Sequence, residues 1–555
     1  MISKNNCSMQ RRSLIRMLAI SGVVSTGIGR KITDTDLVQP VQAQPENNWN
    51  QATKLAANDG DSQDIFGRSV ALSSDATTAV IGAPGDEEQF SRDDQGSAYV
   101  FERTDDSWSQ ETKLTVDTVD GNGQDRFGKS VAVSGDGRTA VIGAPFDDVD
   151  RQVSVGSAYV FAKTDDSWIQ QARLNADELN MKEQLGTSVI ISGEGTTAVI
   201  GAVGDDNNTG STYVFNRTDG SWSQQAKLTA ADRMPGDTFG RSVALSSDAT
   251  TAVIGAPGDN GPNDGKSAGA AYVFNQTDGS WSQETKLLAS DRNSGDVFGR
   301  FTSLSNDGAT TVVSADFDDN QNGENAGAAY VFTQTNDSWN QETKLVPTDG
   351  NSGDNFGLVE LSSDGKVLLV GALNHKNGAG SAYIFNQTDG SWSQESKLSA
   401  ADGDGGNKFG GWVSLSDNGT DALIGAPFDD DPNGEKSGSV YVFSSLDTSE
   451  SVEITEPLIE PSNVDGTNET HTLTFDVQNL SADGGQDDFT VEMPQSVEIV
   501  DVTDVAVVNG DYDVTYSNNE SVIEFTVDPD RDVDNVDLAF KVDMTLIGND
   551  TATNG

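Results

Sequence analysis

Trp108-Ser109-Gln110-Glu111-Thr112-Lys113-Leu114, Phe127-Gly128-Lys129-Ser130-Val131, Ala140-Val141-Ile142-Gly143-Ala144-Pro145 and Gly156-Ser157-Ala158-Tyr159-Val160-Phe161 follow one another and then begin again. The tryptophan recurs at Trp49, Trp108, Trp168, Trp222, Trp281, Trp339 and Trp392, a period of about 58 residues. The other three elements keep step. Phe-Gly falls at Phe66, Phe127, Leu185, Phe239, Phe298, Phe356 and Phe409, and Gly-Ala-Pro at Gly82, Gly143, Gly201, Gly255, Ser314, Gly371 and Gly425. Tyr-Val-Phe falls at Tyr99, Tyr159, Tyr213, Tyr272, Tyr330, Tyr383 and Tyr441. A self-similar period of this length marks one supersecondary unit per repeat.

Each element is short, rich in β-branched and aromatic residues and bounded by Gly, Asp, Asn and Ser, which is the signature of a strand between turns. Trp108 and Leu114 stand six apart, an even spacing that places both on one face of a regular strand, with Lys113 on the other. Four strands repeated seven times predict a seven-bladed β-propeller over residues 44–443. The array starts with a lone tryptophan strand, 49–55, and ends at Phe443 without one, so the first strand is expected to complete the last blade and close the ring.

The alternation of Phe-Gly with Gly-Ala-Pro resembles the FG-GAP repeat of the integrin alpha-chain propeller and of microbial surface proteins, over 395 of 555 residues. The Trp222, Gln224, Lys227 and Leu228 pattern is closer to the bacterial and archaeal branch. The resemblance implies a propeller that binds ligand on one loop face. It does not carry over calcium, because the equivalents of the integrin calcium loops are tight turns such as Ser73-Ser74-Asp75-Ala76 with a single carboxylate each.

Residues 1–43 read as an export signal of twin-arginine type: Arg11-Arg12-Ser13-Leu14-Ile15-Arg16, an apolar run from Met17 to Val24, and a Val41-Gln42-Ala43 cleavage site. Residues 444–450 read as a linker. Alternating stretches such as 472–477, 489–493 and 536–544 predict an immunoglobulin-like β-sandwich over 451–548, followed by a tail, 549–555, with no transmembrane anchor. The overall fold class is all-β.

Eighty-eight acidic against 34 basic residues give a formal charge of −54. That balance argues against nucleic acid, whose phosphates need clustered Lys and Arg. The diffuse acidity resembles that of proteins from salt-loving archaea, in which molar salt screens self-repulsion. With His375 and His471 the only histidines and Cys7 the only cysteine, no Ser-His-Asp set and no Cys/His zinc site can be assembled in the propeller.

In a four-stranded meander the loops after Gly-Ala-Pro and before Phe-Gly emerge on one side of the disc. They are the long and variable ones, and loops on a rigid frame are where binding concentrates. The candidate ligand face therefore comprises Phe146, Asp147, Asp148, Asp259, Phe317, Asp318, Asp319, Phe428, Asp429 and Asp430. Weak calcium binding is expected, if anywhere, at Asp147, Asp148, Asp150, Asp429, Asp430 and Asp431. Glycosylation sequons stand at Asn216, Asn275, Asn336 and Asn386 in the turn after Tyr-Val-Phe, at Asn418 on the same side, at Asn207 on the long-loop face, and at Asn468, Asn479, Asn519 and Asn549 beyond the propeller. The expectation is an exported surface or extracellular binding or adhesion protein with a protein or polysaccharide ligand. The alternative is a propeller enzyme, a polysaccharide hydrolase or lyase using Asp or Glu on the long-loop face.

Overall fold

The computed structural model describes residues 49–445 apart from 87–94, 105–106, 117–124, 151, 165–166, 179, 261–265, 337 and 431–432, together with the backbone of strands within 12–16 and 453–546. Packing divides the chain into one unit spanning Asn47–Leu446 and a second made of Met1–Glu46 with Asp447–Gly555.

The first unit is a propeller of seven four-stranded antiparallel sheets. In the first blade Ser69–Leu72 is innermost, followed by Thr78–Ala83, Ser97–Thr104 and the outer strand Ser107–Leu114. The last blade takes Trp412–Leu415, Asp421–Ala426 and Ser439–Ser445 from the end of the array, and its outer strand, Trp49–Leu55, from the beginning. Ring closure by the lone first strand is thus as the sequence implies. The third strand runs on to Ser445, two residues into the stretch read as linker.

Second strands such as Thr139–Ala144 are buried at every residue, because a neighbouring blade covers each face. Between the first two blades, Phe127 meets the rings of Tyr159 and Phe161 edge-on at centroid distances of 5.6 and 6.0 Å, packed with Val80, Leu114 and Trp168. The glycines have a steric reason. A Cβ on Gly143 would lie 2.2 Å from the carbonyl oxygen of Gly186 in the next blade, and Gly186 itself has φ +93°. Ser314 breaks the pattern, and the glycine it faces, Gly357, is the one Phe-Gly glycine without positive φ.

Tryptophan and leucine do not share a face. Every outer strand carries a register shift, between Gln110 and Thr112 in the first blade, so Glu111 is an extra residue and the parity of the strand flips there. Trp108 packs into the core on one side of its blade with Tyr99 and Leu55, whereas Leu114 packs on the other with Phe127. The bulge lets one strand serve both inter-blade cores.

At the short-turn end the inner turns bond to one another around the axis. Ser74 donates its N–H to the Gly135 carbonyl at 3.1 Å, and the same step continues through Gly193, Ser247, Asn306, Ser363 and Asp417 back to Ser74.

The second unit has two four-stranded sheets. One runs Arg12–Arg16, Asp487–Glu492, Val522–Asp528, Asp513–Asn519, with the first pair parallel. The other runs Glu453–Glu460, Thr470–Asp483, Asp532–Leu546, Val497–Val507. Among the described residues no helix is long and apolar enough to cross a membrane.

Candidate functional site: the long-loop face and the channel mouth

In six of the seven copies the residue three beyond the alanine of the Gly-Ala-Pro element is a buried Asp, and at Asp86, Asp147, Asp259, Asp318 and Asp429 a tyrosine and a cation from the same sheet converge on it. In the fourth blade Asp259 accepts from the Tyr272 hydroxyl at 3.0 Å, from Lys286 Nζ at 2.8 Å and from Arg292 at 2.6 Å. In the fifth, Asp318 accepts from Tyr330 at 2.8 Å and Lys344 at 2.9 Å. The second blade repeats this with Asp147, Tyr159 and Arg173 at 2.6 and 2.7 Å, and the seventh with Asp429, Tyr441 and Lys54 at 3.1 and 2.9 Å. A further carboxylate from the loop preceding Phe-Gly completes several clusters: Asp232, Asp291 and Asp402 each accept from the same tyrosine. Burial raises the pKa of Asp291, but hydrogen bonds from Lys344 and Tyr330 outweigh it and hold the carboxyl below its ordinary range. Burial and the flanking carboxylates drive the tyrosine hydroxyls far above theirs.

These clusters reassign much of the expected ligand face. Asp147, Asp259, Asp318 and Asp429 are internal struts. Their neighbours Asp148, Asp319 and Asp430 accept backbone N–H groups of Ser154, Asn325 and Lys436 at 2.8, 2.7 and 2.8 Å, closing each loop on itself. Asp150 is exposed with φ 51°, and Asp431 lies outside the described residues. Among the described residues no group of three His, Cys, Asp or Glu side chains is placed to hold a metal ion. The phenylalanines remain at the surface, Phe428 with 37% exposure and Phe146 and Phe317 half-buried.

Three sequons also move. Asn216, Asn275 and Asn386 lie inside third strands that continue to Thr218, Thr277 and Thr388, paired with Ser223, Ser282 and Ser393 rather than placed in the turn. Asn336 and Asn418 are in turns, and Asn207 lies within Asp205–Asn208 with φ 61°. The side chains of Asn468, Asn479, Asn519 and Asn549 are outside the described residues, as is Arg11.

A second buried acid stands two residues before each Phe-Gly phenylalanine: Asp64, Asp125, Glu183, Asp237, Asp296 and Asp354, with Asn407 in the last copy. In the sixth blade Asp354 meets His375, which takes the strut position, with Nδ1 at 2.8 Å, while Lys397 lies 2.8 Å from Nε2. In the seventh, Asn407 donates to Asp429 at 3.1 Å. The first blade has an acid at both positions. Burial, with Asp86 adding to it, pushes the Asp64 carboxyl up to about 7.

The residue after Phe-Gly lies at the channel mouth, one or two residues before the innermost strand in the first, second, fourth, fifth and seventh copies and inside it in the third and sixth. In the seven copies it is Arg68, Lys129, Thr187, Arg241, Arg300, Leu358 and Gly411. Sequence charge alone conceals these four cations. Arg68 stacks on Trp412 with its guanidinium carbon 3.4 Å from the ring centroid, and Arg300 lies 5.1 Å from the Phe317 ring and 3.2 Å from Asp316. Arg126 sits 5.3 Å from the Phe146 ring. Among the described residues Arg68, Lys129 and Arg241 form no side-chain hydrogen bond or ion pair. A cavity of about 270 Å³ opens here, lined by Arg68, Arg126 and Lys129 with Ser62, Gln63 and Gly85.

No curated protein matches the chain. Among solved structures it is similar to the Kuenenia stuttgartiensis hydrazine synthase, with 14% identity and a TM-score of 0.45 over 72% of this chain and 99% of that one. The FG-GAP repeat model matches seven times, at 49–101, 108–161, 168–215, 222–274, 281–332, 339–385 and 392–443, each match running from an outer strand through the next three strands. With that repeat spanning most of its length, the chain belongs to the FG-GAP repeat family.

Proposed function

We propose that this is an exported cell-surface or extracellular binding protein whose propeller presents its long-loop face to a protein or glycan ligand. The observation that carries the reading is the contrast between the two faces. On one, the long loops at Asp147, Asp259, Asp318 and Asp429 are fixed from below by a Tyr-Asp-cation strut, and described apices are aromatic or acidic, as at Phe428 and Asp430. On the other, near-identical turns bond to one another around the axis. A rigid frame with variable apices is suited to recognition. The enzymatic alternative has less support, because the buried aspartates at Asp147, Asp259, Asp318 and Asp429 are already bonded to tyrosine and a cation.

In the same reading the twin-arginine segment directs export, the second unit is an immunoglobulin-like sandwich serving as spacer, sequons on exposed turns such as Asn418 carry glycans, and the acid excess adapts the surface to high salt. The test is a binding screen of the purified full chain in molar salt against surface polysaccharides and envelope proteins. Phe146→Ala/Phe428→Ala is the comparison. Loss of a captured ligand in that variant supports the long-loop face; equal capture by both proteins places the ligand elsewhere.

A further inference from the structure

We propose that the mouth of the propeller channel on the long-loop face is an oxyanion site, in which Arg68, Arg126, Lys129 and Arg241, with Arg300 at the rim, receive a multiply charged carboxylate, sulfate or phosphate group.

The first ground is placement. Arg68, Lys129, Arg241 and Arg300 occupy one repeat position, the residue after Phe-Gly, so the symmetry of the ring directs all four to the same axis. In a chain with 34 basic residues against 88 acidic ones, four cations around one axis stand out against the prevailing charge. The second is the missing partner. Elsewhere in the propeller, Lys54, Lys113, Arg173, Lys227, Lys286, Lys344 and Lys397 are paired with carboxylates. Among the described residues Arg68, Lys129 and Arg241 have no such pair. The third is room: a cavity of about 270 Å³ is lined by Arg68, Arg126 and Lys129 together with Ser62 and Gln63.

Among the described residues Asp316, beside Arg300 and acting also on Arg241, is the one carboxylate that partly offsets these cations; like charges held together in excess of it are unfavourable, and the protonation of the cluster registers it. Burial first, and then the Arg241, Arg126 and Arg300 charges, hold the Arg68 guanidinium down at about 9. Burial, then Arg68, Arg241 and Arg126, hold the Lys129 amine at about 6. An oxyanion supplies the missing counter-charge, and guanidinium forks bond carboxylate, sulfate and phosphate oxygens in pairs. The dominantly acidic chain disfavours a long polyanion laid across the face, so the fitting ligand is a small anion or one charged group of a larger molecule.

The site is tested by calorimetric titration of the full chain at pH 7, at fixed ionic strength, with citrate, inorganic sulfate, inorganic phosphate and a sulfated or uronate oligosaccharide in separate runs. Saturable binding of at least one anion is expected, weakened at least tenfold in Lys129→Gln/Arg241→Gln. That variant should melt no lower than wild type without anion, because it removes repulsion and breaks no bond. Arg126→Gln, at an exposed position, is a second probe and should weaken binding several-fold. Tighter binding of the oligosaccharide than of free sulfate assigns the anion to a glycan, and comparable affinities assign a free small anion. Absence of saturable heat with every anion, or equal affinity in wild type and both variants, overturns the proposal. Neither result bears on a macromolecular ligand captured through Phe146 and Phe428.

Discussion

The Asp417 backbone N–H donates to the Ser74 carbonyl at 3.3 Å, joining the turn of the last blade to that of the first and completing the bonded circle at the short-turn end. The seam is therefore held at two radii. Near the axis this bond and the Arg68–Trp412 stack cross it, and at the rim Trp49–Leu55 pairs with Ser439–Ser445. Residues more than 340 apart in sequence meet here, as Lys54 and Asp402 do at 2.7 Å.

Deleting residues 44–56 should leave Ser439–Ser445 as an open edge and empty the pocket that Trp49, 4% exposed, fills between the last two blades. The expected result is a lower melting temperature with concentration-dependent association. Trp49→Ala alone should cost about 3–5 kcal/mol. A deletion that stays monodisperse and melts with wild type would exclude closure by the amino-terminal strand.

The strut at Asp259 separates charge from hydroxyl. Asp259→Asn removes a buried carboxylate bonded by both Lys286, which keeps Asp232 at 2.7 Å, and Arg292, and should destabilise the fold by about 3–5 kcal/mol. Tyr272→Phe removes one hydroxyl donor and should cost about 1 kcal/mol. Chemical denaturation of the two variants checks the order. Equal losses would mean that the ion pairs add nothing beyond the tyrosine bond.

The acid excess sets the salt response. Lowering salt from about 1 M to about 0.1 M lengthens the screening distance from about 3 to about 10 Å. Repulsion among surface carboxylates should then lower the denaturant midpoint. Identical midpoints at the two salts would remove the basis for high-salt adaptation.

The ring was legible in the sequence because four elements recur in register seven times, and the orphan Trp49 strand gave its closure. The bulge was not, since Glu111 differs in no chemical way from a paired strand residue and only the two-sided packing of Trp108 and Leu114 exposes it. Acidic loops read as surface because Asp is abundant there. Yet in five of the seven loops the strut Asp stands twelve or thirteen residues before a tyrosine, as Asp147 does before Tyr159 and Asp259 before Tyr272, and that recurrence was the available sign of a buried contact. The channel cations were hidden by the sum of charge. Reading the variable residue of Phe-Gly-x-Ser down the copies, Arg68, Lys129, Arg241 and Arg300, would have shown them.

The last expectation concerns pH and rests on a comparison between copies. Asp64 has its folded pKa raised from 3.8 to about 7, chiefly by burial, with Asp86 adding to it. A group raised in the folded state contributes stability that is full below its unfolded pKa and is lost as pH rises through the folded value. Asp64 should therefore make the propeller less stable at pH 8 than at pH 5, and Asp296, raised to about 6, acts in the same sense. Lys129, lowered to about 6, acts oppositely as pH rises above that value, so the whole-chain profile mixes the two. Asp64→Asn isolates one group. Its carboxamide oxygen can still accept the Asp61 N–H that Asp64 takes at 2.6 Å, and its amide can donate towards Asp86 as Asn407 donates to Asp429 at 3.1 Å. The variant's advantage over wild type should grow by about 2–3 kcal/mol from pH 5 to pH 8, because over that range the unfolded carboxyl is already ionised while folded Asp64 gives up its proton only near pH 7. Denaturant midpoints at both pH values in one salt decide it: a gap that is the same at pH 5 and pH 8 would show that the buried acid is not held protonated.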